Sequence, residues 1–252
     1  MVDAGALVNG WSPDDAYVVA ALREAEFGPL RLIYDSSNYV FLAELIHSAH
    51  GAGLGVYKPA AGEQPLHDFP DGTLHAREVA AYELSLLLGW PIVPPTVARE
   101  GPQGPGSLQL FIEHDPACHY FALRGDRAYR EQFARFAAFD LIANNADRKG
   151  GHLLLDARGR LWGIDNGLCF HRVDKLRTVV WDFAGTVLAQ PWVADIERVR
   201  AGLAARDEST AALRACLRRE EVAALERRCA ALVSHPVLPE MYPWRCVPWP
   251  LI

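Results

Sequence analysis

The sequence predicts an α+β fold of two lobes, the first built on a sheet and the second mainly helical. Short runs rich in β-branched and aromatic residues, punctuated by glycine and proline, dominate the first half of the 252-residue chain. Beyond residue 115 the pattern changes to apolar residues at helical spacing. We place the boundary between residues 1–112 and residues 113–252, with a hinge near it.

The first lobe is predicted to be a sheet with one helix. The first two strands are separated by the polar turn DSSN, which is typical of a hairpin, and the third strand ends at a proline. The helix then runs between a candidate N-cap, Thr73, and a stop at Gly89. The predicted strands are residues 30–34, 39–45, 53–59, 92–97 and 106–113.

The second lobe is predicted to hold helices in residues 128–144 and 213–233, with a short hairpin between them. Two apolar runs flank the turn DARGR, in which Gly159 suits a left-handed position. Counting back along both strands brings His152 opposite Ile164 or Asp165, where Cβ atoms of facing residues lie about 5 Å apart. We therefore expect His152 and Asp165 to meet beside the loop that carries Asp147.

Two carboxylates and an imidazole at strand ends indicate a site for a divalent cation or for proton transfer. A further acid, Asp140, lies in register with Phe133 and Phe136 on the buried face of the preceding helix. Because a buried carboxylate needs hydrogen-bond donors, we interpret Asp140 as a brace for the backbone of the adjoining loop.

Composition excludes several classes of function. The net charge of −6, without a dense Lys/Arg tract, argues against nucleic-acid binding. The five scattered cysteines include no CxxC pair, so we expect reduced thiols and no zinc site. The N-terminal residues do not have the pattern of a signal peptide, and no apolar run is long enough to cross a membrane, so a cytoplasmic protein is expected.

Asp147 precedes His152 by five residues, and Asp165 follows one hairpin later. A protein kinase catalytic loop has this spacing between its base, its metal-binding Asn and the second metal-binding Asp. Five segments in order resemble the type II phosphatidylinositol 4-kinases and the wider phosphatidylinositol 3/4-kinase-like superfamily, which implies a bacterial branch and a two-lobed protein-kinase-like fold. The segments are GVYKP (55–59), REVAAYELSLLLGWPIVPPT (77–96), GSLQLFIE (106–113), DLIANNADR (140–148) and GIDNGLCF (163–170).

The resemblance implies an ATP site in the first lobe. Lys58 would contact the α- and β-phosphates, and Glu78 would be its ion-pair partner. The other implied nucleotide contacts are the turn Ser36, Ser37 and Asn38, which would cover the phosphates, and the hinge Phe111, Ile112 and Glu113, against which adenine would pack.

The resemblance also implies a catalytic centre in the second lobe. Asp147 would align the acceptor hydroxyl with Arg148 beside it, and Asp165 would bind magnesium while Asn166 shapes the following turn. The chain departs from the family at His152, where an Asn is expected. Imidazole prefers softer metals than magnesium, so the metal could be Mg²⁺ or Mn²⁺. The alternative is that His152 has a purely structural role.

The predicted activity is transfer of the ATP γ-phosphate to an unidentified soluble acceptor, either a protein or a metabolite. The alternatives are a nucleotide-binding pseudokinase, a metal-dependent phosphohydrolase and a lipid kinase. Type II phosphatidylinositol 4-kinases are held on membranes by a lipidated cysteine-rich segment, but the matching loop here, residues 59–72, lacks cysteine, lysine and arginine. We therefore expect no stable membrane anchoring.

The Pro/Trp-rich tail is expected to pack its tryptophans on the helical lobe or to serve as a docking segment.

Overall fold

The computed structural model describes residues 9–34 and 38–252. It confirms the predicted α+β class, with an antiparallel sheet followed by a mainly helical region. The chain divides into two compact units, one comprising residues up to 79 with residues 94–113, and the other comprising residues 80–93 with residues 114–252. The predicted boundary between residues 1–112 and 113–252 differs from this division at residues 80–93, which belong to the second unit, and at Glu113, which belongs to the first.

The first unit carries a five-stranded sheet preceded by helix α1 (Val18–Glu24). Its strand order is β1-β2-β3-β5-β4, and each neighbouring pair is antiparallel. Apolar side chains of the central strands, including Leu45, Tyr57 and Leu108, are fully buried and form the core of this unit. The strands are β1 (Glu26–Ile33), β2 (Val40–His47), β3 (Gly51–Pro59), β4 (Thr96–Gly101) and β5 (Gly104–Leu110).

The strand predicted in residues 92–97 begins only at Thr96. Pro94 and Pro95 have no amide hydrogen to donate to a sheet, which explains the late start. The preceding Ile92 belongs to the second unit, where its carbonyl accepts a hydrogen bond from the Gly163 amide at 2.6 Å. Nearby, the Trp90 indole donates to Asp195 at 3.0 Å, so this stretch is held by partners later in the chain.

Helix α2 (Leu74–Leu88) starts and stops close to the predicted positions, but its cap is different. The Thr73 hydroxyl donates to the Pro70 carbonyl and does not cap the helix. Instead, Glu63 accepts hydrogen bonds from the Leu74 amide at 3.0 Å and the His75 amide at 2.8 Å. Burial opposes ionisation of this carboxyl, yet the hydrogen bonds from His75 and Leu74 hold the pKa of Glu63 below its usual value.

Within the described residues, the second unit contains residues 80–88 of α2, five further α-helices and one hairpin. The helix predicted in residues 213–233 is broken at Arg218, whose extended backbone donates its amide to Glu221 at 2.9 Å. None of the helices in residues 9–34 and 38–252 has the length and apolarity to span a membrane. The elements are α3 (Tyr120–Leu123), α4 (Arg130–Ala143), β6 (Leu153–Leu155), β7 (Leu161–Gly163), α5 (Gln190–Ala205), α6 (Ala211–Ala215) and α7 (Arg219–Ser234).

Candidate active site

The hairpin of β6 and β7 brings His152 and Asp165 together as predicted. Gly159 adopts the left-handed conformation with φ of 79°, and the Asp156 amide donates to the Arg160 carbonyl at 3.0 Å. This register places His152 opposite Ile164, whose amide donates to the His152 carbonyl at 3.0 Å. The His152 Nε2 then lies 3.3 Å from the Asp165 Oδ2.

Asp165 is held in an unusual backbone conformation directly after this hairpin. Its φ of 56° lies in the left-handed region, which costs free energy for a residue with a Cβ. The next residue, Asn166, is fully buried and donates its side-chain amide to the Gly163 carbonyl at 3.2 Å. Asn166 therefore shapes the turn, as the resemblance implied, while the Asp165 side chain stays 51% exposed.

Asp147 lies in the loop that follows α4. Its amide donates to the Asn145 side chain at 2.9 Å, and its Oδ2 lies 3.3 Å from the Lys149 Nζ. Burial raises the pKa of Asp147 above its usual value, and the negative charge of Asp165 raises it further, while Lys149 and Arg177 oppose both effects. A carboxylate with a raised pKa is a better proton acceptor, which suits a general base.

The resemblance placed Arg148 beside Asp147 in the catalytic centre, but the structure encloses its guanidinium in the core. Its side chain is completely buried and lies over the ring of Phe136. Its guanidinium donates to the carboxylate of Asp140, to the Ile164 carbonyl at 2.7 Å and to the Asn166 side chain at 2.7 Å. A guanidinium enclosed in this way is shielded from solvent and joins the loop after α4 to the turn that carries Asn166.

Asp140 is the other half of this buried brace. It accepts hydrogen bonds from the Arg148 Nε at 3.0 Å, the Asn145 Nδ2 at 3.1 Å and the Thr178 hydroxyl at 3.0 Å. Burial raises its pKa, and each of these partners acts in the opposite direction. These contacts agree with the predicted role of Asp140 as a brace for the loop. However, the hydrogen bonds that its carboxylate accepts come from side chains and not from backbone amides of the loop.

A metal ion at this cluster would rely on few protein ligands. Within the described residues, no three His, Cys, Asp or Glu side chains are arranged to hold a metal. The His152–Asp165 pair alone still fits a cation that takes its remaining ligands from phosphate oxygens and water, as Mg²⁺ does at nucleotide sites. The carboxylate suits magnesium, whereas the imidazole favours manganese or softer ions.

The first unit forms the predicted ion pair between Lys58 on β3 and Glu78 on α2. The Glu78 side chain is only 3% exposed and Lys58 is 19% exposed. Buried carboxylates are costly unless they are paired, so Lys58 compensates the buried charge of Glu78.

Only some of the other residues predicted to contact the nucleotide are described by the structure. Ser36 and Ser37 lie outside the described residues, and Asn38 accepts a hydrogen bond from the Gln64 amide at 2.8 Å. In the predicted hinge, the Phe111 amide donates to the Leu54 carbonyl, while Ile112 is buried. Asn9, which the sequence analysis did not single out, donates its Nδ2 to the Phe111 carbonyl at 2.8 Å and its amide to the Glu113 carboxylate at 2.9 Å. Its Oδ1 accepts the amides of Leu54 at 3.0 Å and Trp11 at 3.2 Å.

The C-terminal tail contacts the catalytic loop through its backbone, which sequence reasoning missed. The Leu251 carbonyl accepts the Gly150 amide at 2.8 Å, and the Cys246 carbonyl accepts the Thr178 amide at 3.1 Å. The tryptophans do not anchor the tail as expected, since Trp244 is 67% and Trp249 76% exposed. The sequence analysis also did not single out Lys149 as a partner of Asp147, although it is the lysine nearest to Asp147 in the sequence.

Solved structures share this fold. The crystal structure of the Golgi casein kinase with Mn/ADP bound has a TM-score of 0.57 at 14% identity, over 86% of this chain and 74% of that chain. The structure of hydra Fam20 with sugar has a TM-score of 0.54 at 15% identity, over 91% of this chain and 94% of that chain. At such low identity the likeness establishes the fold alone.

Sequence comparison defines the family. Residues 82–186 match the family phosphatidylinositol 3- and 4-kinase, a stretch that includes Asp147, His152 and Asp165. Protein Rv2133c of Mycobacterium tuberculosis is 38% identical over an alignment of 275 residues that covers 94% of this chain and 95% of that protein. The match over residues 82–186 supports a place in the phosphatidylinositol 3/4-kinase-like superfamily, and the chain belongs to the family of the mycobacterial Protein Rv2133c.

Proposed function

We propose that the protein is an ATP-dependent kinase that transfers the γ-phosphate of ATP to a hydroxyl group of a soluble acceptor. The observation that carries this proposal is the Asp147 carboxylate, with its raised pKa, in the same unit as the His152–Asp165 pair. The kinase-like fold and the match to the phosphatidylinositol 3- and 4-kinase family support phosphoryl transfer. The finer likeness to type II phosphatidylinositol 4-kinases stays a proposal.

The proposed chemistry begins with the acceptor hydroxyl aligned by Asp147. Its proton passes to the Asp147 carboxylate as its oxygen forms a bond to the γ-phosphorus. The bond between the γ-phosphorus and the β–γ bridging oxygen breaks, and ADP leaves with that electron pair. The positive charge of Lys149 favours the carboxylate form of Asp147, because it opposes the effect of burial on the pKa of that group.

The proposed nucleotide contacts are those that the family resemblance implies. Lys58, oriented by Glu78, contacts the α- and β-phosphates. Asp165 and His152 hold the divalent cation, Mg²⁺ or Mn²⁺, which neutralises phosphate charge when bound. The Mn/ADP found in the Golgi casein kinase structure supports this choice of cofactors. Arg148 acts only indirectly, by fixing the loop on which Asp147 lies.

The acceptor is proposed to be a cytoplasmic protein or metabolite and not a membrane lipid. Residues 59–72 carry the acids Glu63, Asp68 and Asp71 and no lysine or arginine. Anionic lipid surfaces attract basic segments by about 1 kcal/mol per residue, so this loop should be repelled. We propose no role for nucleic acid, since the chain carries a net charge of −6.

Two alternatives make different predictions. A pseudokinase that binds nucleotide without transfer is favoured by one observation, the histidine at position 152 where the family has Asn. A metal-dependent phosphohydrolase is less well supported, because the described residues contain no three-ligand metal cluster and the Lys58–Glu78 pair would have no function in it.

The test is incubation of the full chain with ATP labelled at the γ-phosphate, Mg²⁺ or Mn²⁺, and cell extract. Transfer of label to an extract component, lost in Asp147→Asn, supports the proposal. A matched control is Asp126→Asn, an exposed carboxylate whose contact to the Ala128 amide an Asn can keep. Binding of ATP without transfer would indicate the pseudokinase, and release of phosphate alone would indicate a hydrolase. Labelled lipid in a parallel reaction with phosphatidylinositol vesicles would overturn the soluble acceptor.

A further inference from the structure

The last residues of the described chain lie against the catalytic loop, residues 147–152. The Leu251 carbonyl accepts a hydrogen bond from the amide of Gly150, which is buried, at 2.8 Å. The Ile252 side chain lies beside the next residue, Gly151, where an added Cβ would be 3.6 Å from the Ile252 Cγ2. The two glycines stand between the proposed base and the proposed metal-binding histidine. The tail therefore contacts the middle of this loop.

A second hydrogen bond of the tail reaches the same loop through one intervening segment. The carbonyl of the buried Cys246 accepts the Thr178 amide at 3.1 Å. On its other side, the segment around Thr178 pairs in parallel with Arg148. The Arg148 amide donates to the Arg177 carbonyl at 3.0 Å, and the Arg148 carbonyl accepts the Val179 amide at 3.1 Å. The tail thus supports the backbone of the loop at two points, one direct and one indirect.

The side chains at the end of the tail contribute little to holding it in place. Leu251 is 38% and Ile252 60% exposed, and Trp249 is also exposed. Apolar groups that stay this exposed gain little free energy from burial. The tail is therefore held by its backbone hydrogen bonds and by the buried residues Cys246 and Pro248.

We propose that residues 246–252 are a positioning segment of the catalytic site. They hold the backbone of residues 148–150 and thereby fix the positions of Asp147 and His152. The backbone of the two adjacent glycines is conformationally permissive, so a hydrogen bond from outside the loop restricts it. The effect on turnover rests on the proposed kinase function, because a catalytic group misplaced by about 1 Å can cost a hundredfold in rate. The holding of the loop does not depend on that function.

The holding of the loop is tested by amide hydrogen exchange of the full chain, followed by NMR. In the wild type, the Gly150 amide should exchange at least about tenfold more slowly than in an unstructured peptide, as expected for one hydrogen bond. Removal of Leu251 and Ile252 takes away the acceptor carbonyl and should accelerate the exchange of Gly150 about tenfold. The Asp147 amide should also exchange faster in this shortened chain.

Three exchange results would overturn the proposal. An unprotected Gly150 amide in the wild type would show that the hydrogen bond to the tail does not persist, and this result needs no variant. Equal exchange of Gly150 in the wild type and the shortened chain would show that the tail does not hold the loop. Faster exchange at Gly150 without a change at Asp147 would show that the tail does not position the proposed base.

A conservative variant separates the carbonyl of Leu251 from the side chains. Leu251→Ala combined with Ile252→Ala keeps the backbone and removes apolar groups that are largely exposed. Gly150 should therefore exchange in this variant as it does in the wild type. Exchange as fast as in the shortened chain would refute the role of the carbonyl.

The catalytic consequence is measured with ATP labelled at the γ-phosphate. The shortened chain should have a kcat about tenfold lower than the wild type, with a KM for ATP within about twofold, and the double alanine variant should restore kcat. Faster exchange with an unchanged kcat would make the tail a structural contact only and would overturn its positioning role. If no chain transfers label, the kinase proposal fails, while the exchange results still decide whether the tail holds the loop.

Discussion

Replacing Arg148 by Met should destabilise the protein strongly, although Arg148 directly follows the proposed catalytic base. The substitution removes a fully buried guanidinium that bonds Asp140, the Ile164 carbonyl and Asn166. The Asp140 carboxylate would then stay buried without its cationic partner. Asp147→Asn, one residue earlier, changes a partly exposed group and should leave stability nearly unchanged while it lowers turnover by about a hundredfold or more.

The magnitude follows from the groups that Arg148→Met leaves unpaired. Breaking a buried ion pair by removing one partner costs about 3–5 kcal/mol. The hydrogen bonds to Asp140 from Asn145 and Thr178 remain and offset part of this cost, while the carbonyl of Ile164 loses its guanidinium donor. We expect a loss of about 4 kcal/mol, a large share of the 5–15 kcal/mol that stabilises a typical domain.

The assay is urea unfolding followed by circular dichroism. The variants are Arg148→Met, Asp140→Leu and the double substitution, which should be less destabilised than the sum of the single losses by about 2 kcal/mol. The control is the helix pair of Arg135 with Glu131, whose carboxylate is 75% exposed. Glu131→Ala should cost no more than about 0.5 kcal/mol, because surface ion pairs contribute little.

One outcome would refute the bracing role of Arg148. If Arg148→Met unfolds within about 0.5 kcal/mol of the wild type but loses turnover as Asp147→Asn does, the guanidinium acts in catalysis and not in support of the loop. The buried geometry would then not describe the working enzyme.

Turnover should fall as the pH drops through the raised pKa of Asp147, since only the carboxylate accepts a proton. An acidic limb of the pH–rate profile at or below the ordinary pKa of an aspartate would contradict this expectation. The raised pKa also affects folding: Asp147 contributes stability below its ordinary pKa, and this contribution is lost as the pH rises through the raised value. Lys58→Met should abolish the rise in Tm that ATP and metal produce, and a preserved rise in thermal melts would count against the nucleotide role. His152→Asn should shift the metal preference in activity assays from manganese toward magnesium, and an unchanged preference would return His152 to a structural role. Gly150→Ala should lower both Tm and turnover, because its Cβ would lie 2.8 Å from the Phe121 ring, whereas Gly125→Ala has nothing within 4 Å and should match the wild type.

Local patterns predicted the hairpin of the candidate site well. The two apolar runs and the glycine at position 159 mark the turn, and counting back from the turn brings His152 to Asp165. No long-range contact is needed for this step, so a single sequence is sufficient. The two register alternatives differed by one residue, and only the structure distinguishes them.

Contacts between distant parts of the chain account for what sequence reasoning missed. The cap of α2 comes from Glu63, which lies eleven residues before Leu74 and has no spacing that marks it as a cap. The predicted cap, Thr73, has the right residue type but donates its hydroxyl elsewhere. Similarly, nothing in the tail sequence indicates that the Leu251 carbonyl would bind the amide of Gly150.

The burial of Arg148 explains how two partly exposed carboxylates keep a fixed separation. Arg148 directly follows Asp147, and Asn166 directly follows Asp165. The Arg148 Nη2 donates to the Asn166 Oδ1 at 2.7 Å inside the core, so the residues next to both acids are joined by a buried hydrogen bond. The acids themselves remain 26% and 51% exposed. A lysine at position 148 could not replace this link, because its single nitrogen lacks the planar fork that bonds Asp140, the Ile164 carbonyl and Asn166 at once. In this structure the arginine and asparagine of the motif therefore join the two backbone positions on which the chemistry proposed for Asp147 and Asp165 would depend.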